Sequence, residues 1–118
     1  MLDGKQFEER SAQLLRDQGL RIIRERFRCK AGEIDLIARN EHQLLFVEVR
    51  ARRHGSFGGA AASVDRKKQC KLAACAAYFL QRHPQYRHLP CRFDVIAWEP
   101  AEQQGGLQAR WLQGAFYQ

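Results

Sequence analysis

The chain reads as an α/β domain, a central mixed sheet flanked by helices in the order αβββαββ. Three observations predict it. Residues 3–18 place apolar side chains at helical spacing, residues 20–51 hold three apolar runs split by polar turns, and a second helical stretch precedes two further strands. A length of 118 residues suits one domain, 1–118, large enough for its own hydrophobic core.

Asp3 caps the first helix, and Phe7, Ser11, Leu14 and Leu15 fall on one face of it. Gly19 ends it. Leu20 to Arg28 forms a strand centred on Ile22 and Ile23, and Cys29-Lys30-Ala31-Gly32 turns into the next. Gly32 to Arg53 is a hairpin, with its turn centred between Glu41 and His42 in the polar break Asn40-Glu41-His42-Gln43. His54-Gly55-Ser56-Phe57-Gly58-Gly59 follows as a glycine-rich loop, either closing over a ligand or simply linking to the next helix. Ser63 or Asp65 caps that helix, which runs to about Arg82 and buries Leu72, Cys75, Ala76 and Phe79. Pro84 and Pro90 bracket a loop, Cys91 to Trp98 is a strand, Gln103-Gln104-Gly105-Gly106 is a turn, and Arg110 to Phe116 is the last strand.

The hairpin carries the chemistry. Asp35 sits within Ile34-Asp35-Leu36-Ile37 and Glu48 within Phe46-Val47-Glu48-Val49. A carboxylate in a buried strand is costly unless it is paired or binds a cation. The turn position sets a register that puts Asp35 opposite Glu48, with Glu33, Asp35 and Ile37 sharing a face with Phe46, Glu48 and Arg50. Opposed side chains stand roughly 4.5–5.5 Å apart at Cβ, so two like charges there require a cation between them. Arg50 is one candidate and a divalent metal the other. On the second helix Lys68 lies at the edge of the buried stripe, where it either snorkels to water or reaches the acids.

A net charge of +7 favours polyanions, with nucleic acid ahead of an anionic membrane surface. No apolar run approaches the roughly 20 residues of a membrane span, and the charged N-terminus lacks a signal-peptide core. These features describe a cytoplasmic protein whose four cysteines, Cys29, Cys70, Cys75 and Cys91, are free thiols. Paired carboxylates beside a strand-borne cation suit phosphodiester cleavage assisted by Mg²⁺ or Mn²⁺. Asp35 followed by Glu48-Val49-Arg50 fits the pattern D-(x)n-E-x-K with arginine in the last place. Serine, cysteine and P-loop chemistries lack their required contexts.

GEIDLIA, LLFVEVRAR, Val64-Asp65-Arg66-Lys67-Lys68, Arg92-Phe93-Asp94-Val95-Ile96 and Gly114-Ala115-Phe116 together resemble the YraN family of small bacterial proteins. The N-terminal run from Glu8 through Ser11 and Leu15 to Gly19 fits as well. That family is similar to the restriction-endonuclease-like PD-(D/E)xK superfamily, which includes Holliday-junction resolvases. The resemblance implies a restriction-endonuclease-like sheet with a metal site, Glu8, Asp35 and Glu48 as ligands, Arg50 on the lysine position and Lys68 on that of the basic residue opening the second helix. It also implies branched or structured DNA as substrate and a homodimer. Arg50, Arg52, Arg53, Lys67, Lys68 and Lys71 are the candidate nucleic-acid contacts. Phe7 replaces the glycine usual before the helix acid. Arg50 replaces lysine and, staying protonated up to a pKa of ~12 or more, cannot act as a base. A binding module without turnover, or a scaffold with purely structural ion pairs, are the alternatives.

Overall fold

The computed structural model describes residues 2–51, 64–101 and 105–116. Its elements are α1 (Gly4–Asp17), β1 (Arg21–Cys29), β2 (Gly32–Arg39), β3 (Leu44–Ala51), α2 (Arg66–Arg82), a 3-10 turn (Pro84–Tyr86), β4 (Cys91–Pro100) and β5 (Leu107–Phe116). Among the described residues the strands form one sheet in the order β1-β2-β3-β4-β5. Only β3 and β4 run parallel; the other neighbours are antiparallel. This αβββαββ arrangement is compatible with a restriction-endonuclease-like fold.

Local chemistry sets the ends of α1. The Asp3 carboxylate accepts from the Gln6 N–H at 2.9 Å, and the Gln6 side chain accepts from the Asp3 N–H at 2.8 Å, a reciprocal capping box. At the other end Gly19 takes φ +85°, a left-handed conformation that a side chain disfavours. The Leu20 N–H then reaches the Leu15 carbonyl at 3.0 Å and the Gly19 N–H reaches that of Arg16 at 2.9 Å. Asp65 caps α2 through the Lys68 N–H at 2.8 Å; the alternative cap, Ser63, lies outside the described residues, as does the loop His54 to Gly59.

Helices α1 and α2 cover opposite faces of the sheet. Leu15 and Ala12 of α1 pack with Leu36, Ala38, Leu45, Val47 and Ile96. Leu72, Cys75, Ala76 and Phe79 of α2 pack with Phe27, Ile37, Leu44, Phe46 and Val95. Covered on both sides, β3 buries Leu44, Leu45, Phe46, Val47 and Glu48 in succession, which explains its unbroken apolar run. Buried Ser11 is held by the Trp98 indole N–H at 2.9 Å. The last strand starts at Leu107, three residues ahead of expectation, because β4 extends to Pro100 and its pairing partner there is Leu107.

One expectation is corrected. Cys29 and Cys75 form a disulfide, with Cα atoms 5.8 Å apart, while Cys70 and Cys91 are free. Helical spacing separates Cys75 from Cys70 but carries no information about Cys29, which the end of β1 brings under α2.

Candidate metal and phosphate site

The predicted hairpin register is the observed one. Backbone pairs run from Arg39–Leu44 to Leu36–Val47, and continuing that register sets Asp35 against Glu48 just past the last pair. There the ladder changes character. The Asp35 carboxylate takes the place of a backbone carbonyl and accepts from the Val49 N–H at 2.8 Å.

Strand alternation also breaks at Asp35. Ile34 packs on the α2 side and Leu36 on the α1 side, although they are two residues apart. Across the pairing with β1, Arg26 falls between the rungs Glu25–Leu36 and Phe27–Ile34, and so stands opposite Asp35. Arg26 has φ +50°, a left-handed conformation for a non-glycine residue. Strained backbone of this kind persists where the surrounding structure enforces it, and it is found often at functional sites.

Glu48 is only 5% exposed. Its Oε2 stands 3.3 Å from the Lys68 ammonium, so Lys68 does reach the acids from α2. That contact supplies charge but no directed hydrogen bond: Oε2 is buried without a hydrogen-bond partner. Two residues along β3, the Arg50 Nε is likewise buried and unpartnered. Buried polar atoms without a partner are uncommon in folded proteins, and β3 carries an unpartnered acceptor and an unpartnered donor two residues apart. Burial, reinforced by the hydrogen bond and the charge of Glu48, raises the Asp35 carboxyl to about 8, with the Val49 N–H and Lys68 acting the other way. At neutral pH the acid pair therefore keeps a proton.

Glu8 stands apart from this pair. Its carboxylate accepts from the Arg26 Nε at 2.7 Å, and together they line a cleft of about 280 Å³ with Lys5, Glu9 and Glu25. Among the described residues no group of three or more His, Cys, Asp or Glu side chains is placed to hold one ion. Lys67 and Lys71 are exposed on the first turns of α2, with Lys71 beside Gly32. Arg52 and Arg53 lie outside the described residues.

Two residues have roles that the sequence did not reveal. Arg26, eighteen positions from Glu8, gives no local signal of its role. Asp94 is a second fully buried carboxylate, and its oxygens are saturated. Arg92 donates to it twice, at 2.8 and 2.9 Å, the Trp111 indole N–H at 2.8 Å and the Gly114 N–H at 2.9 Å. Asp94 is a structural acid. Glu48 differs in keeping one buried oxygen without a hydrogen-bond partner.

Residues 7–98 match the model of the uncharacterised protein family UPF0102. A UPF0102 protein of Alcanivorax borkumensis is 51% identical over 97% of this chain and 90% of its own length. Similar proteins of Pseudomonas entomophila and Alkalilimnicola ehrlichii are 42% and 44% identical over 96% of this chain, covering 91% and 85% of their own lengths.

Proposed function

The chain belongs to the UPF0102 family, a YraN-type family of uncharacterised proteins, and we propose that it binds nucleic acid and hydrolyses phosphodiesters with a divalent cation held by Asp35 and Glu48. DNA, in branched or otherwise structured form, is the intended substrate. The observation that carries this reading is the buried Glu48 oxygen, unsatisfied beside a second carboxylate and a lysine. Two carboxylates fit Mg²⁺ or Mn²⁺, which keep water and substrate phosphate as their other ligands. Glu8, paired with Arg26, is not needed for that set. When bound, the cation supplies Lewis-acid polarisation of a phosphoryl oxygen.

The protein's own side chains do the rest. Asp35 gives up its proton so that both carboxylates are charged toward the cation. Arg50 offers its buried Nε–H to a phosphate oxygen and offsets the charge that grows there. Lys68 balances Glu48 in the cation-free chain and remains at the mouth of the site, with its side chain 35% exposed. A second reading, binding without turnover, is favoured by Arg50 alone, since a guanidinium cannot take a proton from water.

Incubation of the chain with branched and linear DNA and Mg²⁺ or Mn²⁺ tests both. Nicking that disappears in Asp35→Asn supports the nuclease. Salt-sensitive binding with no cleavage under either cation leaves the binding module, and absence of both sinks the proposal.

A further inference from the structure

Cys29 and Cys75 occupy unlike surroundings. Cys29 is half-buried at the end of β1, between Arg28 and Lys30, both exposed. Its sulfur accepts from the Ala31 N–H at 3.2 Å. Half-exposed, it can meet a small disulfide in solution, and a thiolate is the form that attacks one. Cys75 is only 1% exposed, packed within the α2 face of the core. It cannot meet a dissolved reagent, but its Cα stands 5.8 Å from that of Cys29, ordinary spacing for a disulfide. One sulfur is placed to react first and the other to finish.

We infer that Cys29 and Cys75 form a reversible dithiol–disulfide pair, closed by exchange with a small-molecule disulfide, that clamps α2 to the β1–β2 hairpin. In the first step the Cys29 thiolate attacks one sulfur of the small disulfide, forms a mixed disulfide and expels one thiolate. In the second, the Cys75 thiolate attacks the Cys29 sulfur, the mixed bond breaks and a second thiolate leaves. The two protons given up by the cysteines end on the two released thiols, so the small disulfide is reduced as the protein pair is oxidised.

The clamp joins two elements that frame the acids. Lys68 lies seven residues before Cys75, two turns along the same face of α2, and Asp35 lies on the strand that follows Cys29. Any effect on cleavage rests on the nuclease reading above. Formation of the bond does not.

The test uses the full chain with Cys70→Ser and Cys91→Ser, so that only the pair can react, equilibrated with reduced and oxidised glutathione. The intact pair is expected to become lighter by two hydrogens, with peptide mapping joining positions 29 and 75. It should melt about 4 °C or more above its reduced form. Adding Cys75→Ala should trap one glutathione on Cys29 in oxidised glutathione alone, where no second protein thiol and no reduced glutathione resolves the mixed disulfide. Adding Cys29→Ala should leave Cys75 unmodified, and circular dichroism checks that each variant is folded. No bond in fully oxidised buffer, or equal glutathione uptake by the two single-cysteine chains, overturns the pair. Equal melting temperatures for the oxidised and reduced forms overturn the clamp.

Discussion

Glu48 and Asp94 are buried acids on adjacent strands with opposite standing, and the difference is countable in hydrogen bonds. Asp94 receives four donated bonds. Its replacement by alanine strands Arg92 and the Trp111 indole, and should cost about 3–5 kcal/mol in urea unfolding. Glu48→Gln removes a charge whose oxygen is unsatisfied, so it should cost far less stability while abolishing Mn²⁺ binding measured by titration calorimetry. Asp35 makes a prediction in pH. Its carboxyl rises from 3.8 to about 8 on folding, so between those values the folded chain holds a proton that the unfolded chain has released. The resulting stability is fully present below about 3.8 and is lost as pH rises through about 8. Without divalent cations, the melting temperature should therefore fall between about pH 5 and pH 8 by at least the ~4 °C that ~1 kcal/mol produces in a domain this size. Asp35→Asn should flatten the slope, and a slope unchanged in that variant would remove Asp35 as its source.

At the scale of elements, caps and turns were legible in the sequence because their chemistry is local. Asp3, Gly19 and the hairpin turn each act within a few residues, so reading neighbours sufficed. Gly19→Ala should cost about 1 kcal/mol or more. The cost comes from the backbone at φ +85° and not from crowding, since the space around the added Cβ is open. Thermal melts would show it, and an unchanged melting temperature would mean that the turn relaxes. The acid rung was legible for the same reason, since register follows from the turn once its centre is known. Pairings closed by topology were not. Glu8–Arg26 and Cys29–Cys75 each join separate elements, and no periodicity within one element encodes its partner on another; for Lys68 the helical stripe offered the acids only as one of two alternatives. The family resemblance supplied Glu8 as a ligand from position alone; the structure places it with Arg26 on the neighbouring strand. Nor does any propensity foretell the left-handed Arg26 opposite Asp35, because that conformation is imposed from outside the residue.

For the whole molecule the governing quantity is charge. A net +7 attracts a polyanion over long range, yet the site itself presents two acids that would repel a phosphate. The cation-free pair softens this conflict: Asp35 keeps its proton near neutrality, and Lys68 offsets Glu48. Affinity for nucleic acid should accordingly come from exposed cations around the site, with Lys67 and Lys71 foremost, and should survive Asp35→Asn. Binding to duplex DNA, followed by fluorescence anisotropy across a salt series, should give a linear fall of log affinity with log salt. Each phosphate contact adds about 0.9 to that slope. Lys67→Ala and Lys71→Ala should each lower the slope by about one such contact and weaken binding alike for every sequence, with no change in melting temperature. A slope untouched by both substitutions would move the nucleic-acid path away from α2. The acids would then lie off that path, and the nuclease reading would fail with it.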